Sequence, residues 1–170
     1  NSKDFCRLAT IDIKRAYFYA PASRKVFITI PPEDWEAGDE DNVAQLCLSL
    51  YGTRDAAQNW AAEYTRHLVE LGFRVGKALP CNFHHPCMRI SATVHGDDFL
   101  ICAPEKSMKW FKSKMENKYE LKFKLVGPGN NCNKEIRILN RIIRWTAQGV
   151  KYEADQRHVE AIANSMGIEN

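Results

Sequence analysis

Three aspartates in this sequence occupy positions from which they could act together. Asp12 ends an apolar segment typical of a strand, and Asp97 and Asp98 follow Gly96 between two further apolar runs. Aspartate oxygens are hard ligands that suit Mg²⁺, and two such ions about 3.5–4 Å apart can clamp an in-line phosphoryl displacement. Aspartate is also common in ordinary turns, so a Gly-Asp-Asp motif alone is a weak signal. A metal site requires that the fold bring Asp12 to the Asp97-Asp98 pair.

The hydrophobic pattern predicts short strands and three helices around these aspartates. Alternating or continuous apolar runs predict strands at Leu8–Ile13, Val26–Ile30, Gln45–Leu50, Cys81–Phe83, Met88–Val94, Phe99–Ala103, Leu121–Val126 and, with one break, Ile136–Trp145. Apolar residues at three- to four-residue spacing predict helices at residues 57–71, from Pro104-Glu105 onward, and at Asp155–Met166. Gly96 is predicted to lie in the turn of a β-hairpin.

The order of these elements predicts an α+β fold. With an insertion at about residues 20–50 set aside, the order matches the ferredoxin-like βαββαβ pattern. Right-handed crossovers place the end of the first strand and the turn of the hairpin at the same edge of the sheet. We therefore expect Asp12 to meet Asp97 and Asp98 in space.

Charge and composition leave a nucleic-acid partner open. The chain has 170 residues, 45% of them apolar and 26% charged, with a net charge of +3, which is enough apolar content for a folded core. Seven lysines lie between Lys106 and Lys124, with Trp110, Phe111, Tyr119 and Phe123 among them. Lysines can neutralise phosphates and aromatic rings can stack on bases. A solvated basic helix face explains the same pattern.

The six cysteines are scattered, and several lie in apolar strand-like runs. This pattern favours buried free thiols in a reducing compartment over a disulfide framework. The sequence has neither a signal-peptide pattern nor a long apolar run, so it gives no indication of secretion or of a membrane span.

Several segments carry motifs that occur in this order in one known family. They are Asp12–Phe18, Val26–Pro32, Leu50–Trp60, His95–Asp98, Gly149–Tyr152, Gln156–His158 and Met166-Gly167. The first resembles an Asp followed four and five residues later by Ala and an aromatic residue, and the third resembles a Leu-Tyr-Gly-Leu-Lys-Gln-Ala block with a Trp shortly after. The ordered set resembles the reverse transcriptases of copia-type LTR retrotransposons.

The resemblance implies an architecture and a set of partners. It implies the ferredoxin-like palm of a right-hand polymerase over residues 1–151, with a partial fingers insertion at about 20–50 and the start of a thumb over 152–170. The expected activity is RNA-directed DNA polymerisation on an RNA or DNA template–primer with dNTPs. Two Mg²⁺ ions, for which Mn²⁺ can substitute, are the expected cofactors. The upstream fingers, RNase H and integrase would lie elsewhere in a polyprotein, inside a cytoplasmic virus-like particle.

The resemblance also implies roles for individual residues. Asp12 and Asp97 would be the main metal ligands, and Asp98 would complete the cluster with a less direct contact. The backbone of Ile13 would also approach the metal. The segment that continues from it would meet the triphosphate, namely Lys14, Arg15 and Ala16.

The remaining implied roles concern the nucleotide and the template. Tyr17 would lie under the sugar of the incoming nucleotide, where an aromatic ring can exclude a 2′-hydroxyl. Tyr51, Gly52 and Arg54 would face the template and the nucleotide. His95 stands where the family has a tyrosine near the primer terminus. The segment at residues 136–145 would grip the primer end.

The sequence departs from the family at two motifs. Gly96 follows His95 where the family has a bulky aliphatic residue, and Ile138-Leu139-Asn140 stands where the family has Phe-Leu-Gly, so a permissive glycine is absent.

Three alternatives remain at this stage. A βαββαβ module can bind nucleic acid without catalysis, although this sequence has no aromatic-rich strand of the kind that RNA-recognition domains use. The chain could also be a decayed element that keeps the fold without activity. Finally, Cys81, His84, His85 and Cys87 could bind Zn²⁺, although their tight spacing fits a His-Pro hairpin turn better.

Overall fold

The computed structural model describes residues 5–39, 42–153 and 156–167. The strands are β1 Cys6–Ile13, β2 Phe27–Thr29, β3 Val43–Gln45, β4 Arg74–Val75, β5 Asn82–His85, β6 Ile90–His95, β7 Asp98–Pro104, β8 Leu121–Val126, β9 Glu135–Ile138, β10 Arg141–Thr146 and β11 Gly149–Glu153. The α-helices are α1 Ala56–Glu70, α2 Glu105–Glu116 and α3 Gln156–Ser165, and short 3-10 helices span Ala16–Tyr19 and Pro32–Asp34. Asp155, the predicted start of the last helix, lies outside the described residues.

A central six-stranded sheet has the order β4-β5-β6-β7-β1-β8, and its neighbouring strands are antiparallel. Along the chain, β1, α1, β6, β7, α2 and β8 follow one another. The alternation of strands and helices predicted from the sequence is therefore present, with the β4–β5 hairpin added at one edge. The mixed α/β architecture agrees with the predicted class.

Both long helices pack on one face of this sheet. On β6 the burial alternates strictly, with Ile90, Ala92 and Val94 buried and the residues between them exposed, as period-two side-chain geometry requires. The buried face joins a core that includes Phe99 of β7 and Phe111 of α2. The opposite face carries polar side chains, and it is this face that presents the aspartates.

Helix α1 confirms the periodicity of its sequence. Trp60, Tyr64 and Leu68 fall on one side of the helix and are buried. The chain leaves the helix at Gly72, whose φ is +96°, a left-handed conformation that favours glycine at a helix C-terminus. The predicted helix and its C-cap are both confirmed.

Helix α2 places its lysines in solvent. Lys109 pairs with Glu105 at 3.1 Å and Lys112 pairs with Glu116 at 3.4 Å, each one helical turn apart. Such exposed pairs contribute little to stability. For these two lysines the solvated helix face describes the contacts better than a phosphate-binding surface.

A second sheet, in the order β11-β10-β9, covers part of the open face. Ile136 and Ile143 form a small buried cluster with Val126 of the central sheet, and Leu8 and Leu100 pack against it. The cover therefore lies towards the Leu8 end of β1. Asp12 lies at the other end of the same strand.

The segment between β1 and α1 is fastened to the start of α1 by Asp55. Its carboxylate accepts hydrogen bonds from Ser23 at 2.8 Å and from Arg24 at 3.0 Å. These bonds hold the pKa of Asp55 at about 2. Nearby, the buried Ser49 donates its amide to the carbonyl of Ala20 at 2.8 Å.

Several predicted strand boundaries are wrong. A strand was predicted at Gln45–Leu50, but strand β3 ends at Gln45. In the segment that follows, Leu48 makes only an isolated bridge to Pro21. Met88 lies in the turn before β6 because the His85-Pro86 turn extends further than predicted. The two-residue strand β4 was not predicted, since so short a strand has no measurable periodicity.

The expectation of buried thiols is also wrong. All six cysteines are free, but Cys6, Cys47 and Cys87 are exposed and the others are only partly buried. Cys47 is exposed because the segment around it is a loop rather than a strand. Among the described residues, no helix is long and apolar enough to cross a membrane.

The β9–β10 turn contains a strained leucine. Leu139 has a φ of +49° and Asn140 a φ of +60°, as a two-residue type I′ turn requires. Asparagine tolerates this conformation, whereas a leucine there costs about 1–2 kcal/mol. We expect Leu139→Asn to raise the free energy of unfolding by about 1 kcal/mol and the Tm by about 2–4 °C.

Thermal unfolding followed by circular dichroism measures this shift. Leu139 is 50% exposed and Leu79 is 57% exposed, and Leu79 lies outside the left-handed region. Leu79→Asn is therefore the matched control, with an expected Tm close to that of the unchanged chain. A Tm for Leu139→Asn at or below the control value contradicts the strain at Leu139.

Candidate active site

The fold brings the predicted aspartates together at one edge of the central sheet. Asp12 on β1 is the register partner of Asp98 on β7. Asp97 lies in the two-residue turn between β6 and β7, which His95 and Asp98 close as a pair. The predicted meeting of Asp12 with the aspartate pair is confirmed. Asp98 is the immediate cross-strand neighbour of Asp12, and the less direct metal contact expected for Asp98 stays a prediction.

A basic group flanks the two paired carboxylates on each side. Register places His95, Asp98, Asp12 and Lys122 in one row across β6, β7, β1 and β8. The Lys122 Nζ atom lies 3.9 Å from Asp12 Oδ2. Like charges directly opposite each other on neighbouring strands are destabilising. The flanking basic groups reduce that repulsion.

The electrostatics of Asp98 reflect this crowding. Burial raises the pKa of Asp98, the negative charges of Asp97 and Asp12 raise it further, and His95 opposes the shift. The ionised form is therefore less favourable here than in water. A bound cation would instead favour the ionised form of Asp98.

Two hydrogen bonds hold the turn that carries Asp97. The Trp60 Nε1–H group of α1 donates to the Gly96 carbonyl at 2.7 Å. The amide of Ile13 donates to the Asp97 carbonyl at 3.1 Å. Gly96 has a φ of +61°, as expected of glycine at the first central position of a type II′ hairpin turn.

The segment after Asp12 is fastened to the residue before β8. Lys14 donates its amide to the Glu120 carbonyl at 2.9 Å, and its side chain pairs with the Glu120 carboxylate. Arg15 donates to the other carboxylate oxygen at 2.9 Å and has a φ of +53°. The Glu120 amide in turn donates to the Tyr19 hydroxyl at 2.9 Å. Hydrogen bonds from Lys14 and Arg15 lower the pKa of Glu120.

The 3-10 helix that begins at the buried Ala16 carries Tyr17 and Phe18, and both of these rings contact Tyr51. The rings of Tyr17 and Tyr51 lie 4.3 Å apart between centroids, and Phe18 contacts Tyr51 edge-on at 5.7 Å. Burial and the negative charge of Asp97 raise the pKa of Tyr51. Tyr17 and Tyr51, which are far apart in sequence, therefore form one aromatic pair, and the charge of Asp97 acts on the Tyr51 hydroxyl.

The other predicted site residues lie on the surface near Tyr51. Gly52 has a φ of +87° with open space around its Cα, and Arg54 is exposed just before α1. Among the described residues, no hydrogen bond or ion pair joins Gly52 or Arg54 to the carboxylates, so their assignment to the template and the nucleotide stays a prediction.

A cavity of about 160 Å³ opens beside the carboxylates. Its lining includes Thr10, Asp12, Asp98, Lys122, Lys124 and Arg137. Larger cavities of about 430 Å³ and 550 Å³ lie on the outer face of β4–β6 and beside the β10–β11 turn. Neither is lined by an acidic residue. A third cavity, of about 310 Å³, includes Glu63, whose carboxylate is already paired with Arg66. Of these four cavities, the small one best matches cation-assisted chemistry, because it alone brings two carboxylates together.

The donor chemistry fits divalent cations that complete their shell with substrate. Within the described ranges, no three His, Cys, Asp or Glu side chains form a ready-made metal-binding cluster. Mg²⁺ usually keeps several waters and is bound by one or two carboxylates together with substrate phosphates. The adjacent carboxylates of Asp12 and Asp98, with Asp97 in the next turn, match that requirement.

The predicted zinc alternative finds no support among the residues described. His85 packs against Phe73 and Trp110, with ring centroids 5.2 and 5.5 Å away. His84 faces Ser91, with Nδ1 3.4 Å from Oγ. The two histidines therefore serve the packing and pairing of β5 rather than a shared ligand position.

Sequence reasoning did not identify Glu120 or Lys122 as residues of this site. Lys122 was part of the basic stretch, and its period-two spacing with Lys124 on a predicted strand was the signal that both share one face. Glu120 carried no such signal, since its contacts to Lys14 and Arg15 depend on the pairing of β1 with β8.

Comparisons with known proteins identify the family of this chain. The sequence model of a family described as reverse transcriptase (RNA-dependent DNA polymerase) matches residues 3–128. The chain is 25% identical over 126 residues to the Gag-Pol polyproteins of transposons Ty1-DR1 and Ty1-GR3 and of a truncated transposon Ty1-A of Saccharomyces cerevisiae. These matches cover 73% of this chain, 7% of the first two polyproteins and 10% of the truncated one. The chain belongs to the reverse transcriptase family and resembles its copia-type members.

Proposed function

We propose that this chain carries the catalytic centre of an RNA-directed DNA polymerase, which extends a primer 3′ end with dNTPs by two-metal phosphoryl transfer. The observation that carries the proposal is the register pairing of Asp12 with Asp98, beside the turn that holds Asp97. Carboxylates so placed repel one another, and a reaction that uses divalent cations gives this arrangement a purpose.

The proposed architecture is a ferredoxin-like palm over residues 1–151, with a fingers insertion at about 20–50 and the start of a thumb at 152–170. The strand order β6-β7-β1-β8 with two helices on one face supports the palm. The β2–β3 pair, fastened to α1 through Asp55, supports the insertion as a separate small unit. The exposure of Val159 and Ile162 on α3 fits a thumb helix that packs on residues outside the described chain.

Asp12, Asp97 and Asp98 would hold the two Mg²⁺ ions, for which Mn²⁺ can substitute. When bound, such ions lower the pKa of the attacking hydroxyl and stabilise the leaving group. The protein's own contribution is mainly position and charge. Lys122, now 3.9 Å from Asp12, is free to move towards a phosphate once cations neutralise the carboxylates.

The nucleotide would lie between the carboxylates and the Tyr17–Tyr51 pair. The backbone from Ile13 to Ala16 would face its triphosphate, with Lys14 and Arg15 as the nearest cations. Ala16, at the start of the 3-10 helix, is buried, and this anchors the position of the neighbouring Tyr17 ring relative to the central sheet. That ring would lie under the sugar and exclude a 2′-hydroxyl.

Replacement of Tyr17 tests this assignment. We expect Tyr17→Val to increase the use of rNTPs relative to dNTPs by about 10- to 100-fold, since pocket contacts of this size discriminate by about 1–3 kcal/mol. Competition between a dNTP and its rNTP in primer extension measures the ratio. Tyr19→Phe keeps a ring on the same short helix and should leave the ratio unchanged. An unaltered ratio in Tyr17→Val removes the sugar-selective role.

The proposed partners are a template–primer, dNTPs and the remainder of a polyprotein. The relatives are Gag-Pol polyproteins, which supports upstream fingers, an RNase H and an integrase as neighbours within one translated product. A cytoplasmic virus-like particle is the compartment that this relationship suggests.

The decisive experiment is Mg²⁺-dependent dNTP incorporation on a primed RNA template. It uses this chain within a polypeptide that restores the expected upstream fingers, since their basic residues would hold the triphosphate. Incorporation that requires both template and Mg²⁺ supports the polymerase. A folded polypeptide that binds template–primer without incorporation favours a non-catalytic binding module or a decayed element instead.

A further inference from the structure

The indole of Trp60 is fixed between the core and the aspartate turn. Its side chain is 1% exposed and contacts the rings of Tyr64 and Tyr119, each with a centroid distance of 5.4 Å. From this core position its Nε1–H group reaches the Gly96 carbonyl at 2.7 Å. A rigid helix is thereby bonded directly to the exposed turn that carries Asp97.

The anchor adds to the strand pairing that closes the turn at His95 and Asp98, because the turn itself lies in solvent. Gly96 and Asp97 are exposed, and a Cβ built on Gly96 would meet nothing within 4 Å. The neighbouring carboxylates also repel each other. A two-residue turn under that repulsion would move away from Asp12 unless its backbone were held.

The anchors act on two consecutive carbonyls. Trp60 of α1 holds the carbonyl of Gly96, and the Ile13 amide of β1 holds the carbonyl of Asp97. Ile13 is also the residue next to Asp12. The turn is therefore hydrogen-bonded both to strand β1, which carries Asp12, and to helix α1, which packs behind it.

A buried tryptophan usually finds a hydrogen-bond partner for its N–H group, and many carbonyls would suffice. What is specific here is that the partner belongs to the two-residue turn that contains Asp97 and leads directly into Asp98, the first residue of β7. A bond to a core carbonyl would stabilise the fold equally well without constraining this turn.

We propose that Trp60 is a positioning residue that fixes the Asp97-Asp98 turn relative to Asp12, so that the three carboxylates can share divalent cations. The role rests on the proposed function, because it presumes cation binding by these aspartates. Trp60 itself touches neither substrate nor metal. Loss of its N–H group should loosen the turn and weaken cation binding while the fold persists.

Two variants of the 170-residue chain separate this role from packing. Trp60→Phe removes the N–H group and part of the ring, and 3-benzothienylalanine at position 60 replaces only the N–H group by sulfur and keeps the ring shape. Trp110→Phe, on the half-buried Trp110 of α2 that packs against His85, is the matched control. Circular dichroism establishes that each variant is folded.

Two measurements follow, and only one of them needs metal. Amide hydrogen exchange by mass spectrometry of the peptide spanning residues 94–99 should be about tenfold faster in both position-60 variants than in Trp110→Phe. Mn²⁺ binding, followed by the electron paramagnetic resonance signal of the free ion, should be about tenfold weaker, as for other groups that orient metal ligands. The Asp97→Asn chain provides the baseline for nonspecific Mn²⁺ binding.

Each outcome decides a separate point. Unchanged exchange at residues 94–99 overturns the positioning role, as does faster exchange with unaltered Mn²⁺ affinity. If the unsubstituted chain binds Mn²⁺ no better than Asp97→Asn, the metal site of the proposed function fails, and the role of Trp60 fails with it. That failure is distinguishable because it appears before any change at position 60.

Discussion

Replacing Asp97 by asparagine should lower Mg²⁺-dependent dNTP incorporation by about 10³-fold, equivalent to about 4 kcal/mol in the activation barrier. Asparagine keeps the size of the side chain and its ability to occupy the turn, but it removes one of the three negative charges of Asp12, Asp97 and Asp98. Cation binding depends on that charge, whereas the hydrogen bonds from Trp60 and Ile13 go to backbone carbonyls at Gly96 and Asp97 and should persist.

The fold should survive this substitution. Asp97 is exposed in its turn, and its charge raises the pKa of the neighbouring Asp98. Removing it relieves repulsion, so the Tm should stay the same or rise slightly while incorporation is lost. Opposite changes in stability and activity are the signature of a group placed for function rather than for folding.

Primer extension on a primed RNA template measures the effect. Asp34→Asn makes the same chemical change at an exposed position on the short 3-10 helix Pro32–Asp34, and it should leave incorporation within about twofold. Binding of template–primer to Asp97→Asn should be nearly unchanged. Incorporation by Asp97→Asn within tenfold of the unsubstituted protein would mean that Asp97 does not hold a catalytic metal.

The sequence predicted the parts of this site that follow from local periodicity. The boundaries of β8 and the hairpin turn at Gly96 were identified because alternation and a turn glycine are local signals. The meeting of Asp12 with Asp98 followed from topology, because right-handed crossover connections leave few possible arrangements of the strands in the sheet. At each of these features one sequence pattern is clear, and no other pattern in the same segment predicts a different structure.

The contacts that complete the site depended on details with no local signal. The direction of the Trp60 N–H group depends on the rotation of α1 about its own axis. Hydrophobic periodicity shows which side of the helix faces the sheet, but it does not define that rotation closely enough to place one N–H group. The pairing of Glu120 with Lys14 and Arg15 depends on the register of β1 with β8. The segment at Gln45–Leu50 is strand-like in composition, but it forms a loop because its amides bond to the chain near Ala20 and Val26.

Besides Trp60, helix α1 carries a second buried polar side chain, the carboxylate of Glu63. Of the charged residues discussed, we expect Glu63 to have the largest effect on the free energy of unfolding when it is replaced. Glu63 is 6% exposed, and its carboxylate pairs with Lys118 at 2.5 Å and with Arg66 at 2.7 Å. Tyr119 donates its hydroxyl to the same carboxylate at 3.5 Å. This cluster joins α1 to the segment before β8, immediately next to Glu120 and therefore close to the candidate nucleotide site.

We expect Glu63→Gln to reduce the free energy of unfolding by about 2–3 kcal/mol. Removing one partner of a buried ion pair costs about 3–5 kcal/mol, and the partial exposure of Lys118 and Arg66 reduces that figure. Glutamine keeps the shape but leaves Lys118 without a countercharge. Glu70→Gln is the matched control, because Glu70 also pairs with Arg66 at 2.7 Å but is 55% exposed, and its loss should cost less than about 0.5 kcal/mol.

The pH dependence separates the charge of Glu63 from its packing. Burial raises the pKa of Glu63, but the hydrogen bonds and charges of Lys118 and Arg66 outweigh it and leave the pKa below the ordinary value of 4.5. Because the folded-state pKa is depressed, the stabilisation is present above about pH 4.5 and is lost as the pH falls through the folded-state value. The stability difference between the unsubstituted chain and Glu63→Gln, measured by urea unfolding, should therefore be constant near neutral pH and shrink below about pH 4.5. A difference that persists in acid would assign the effect to packing, and equal losses in Glu63→Gln and Glu70→Gln would show that the buried pair does not brace α1 against the segment before β8.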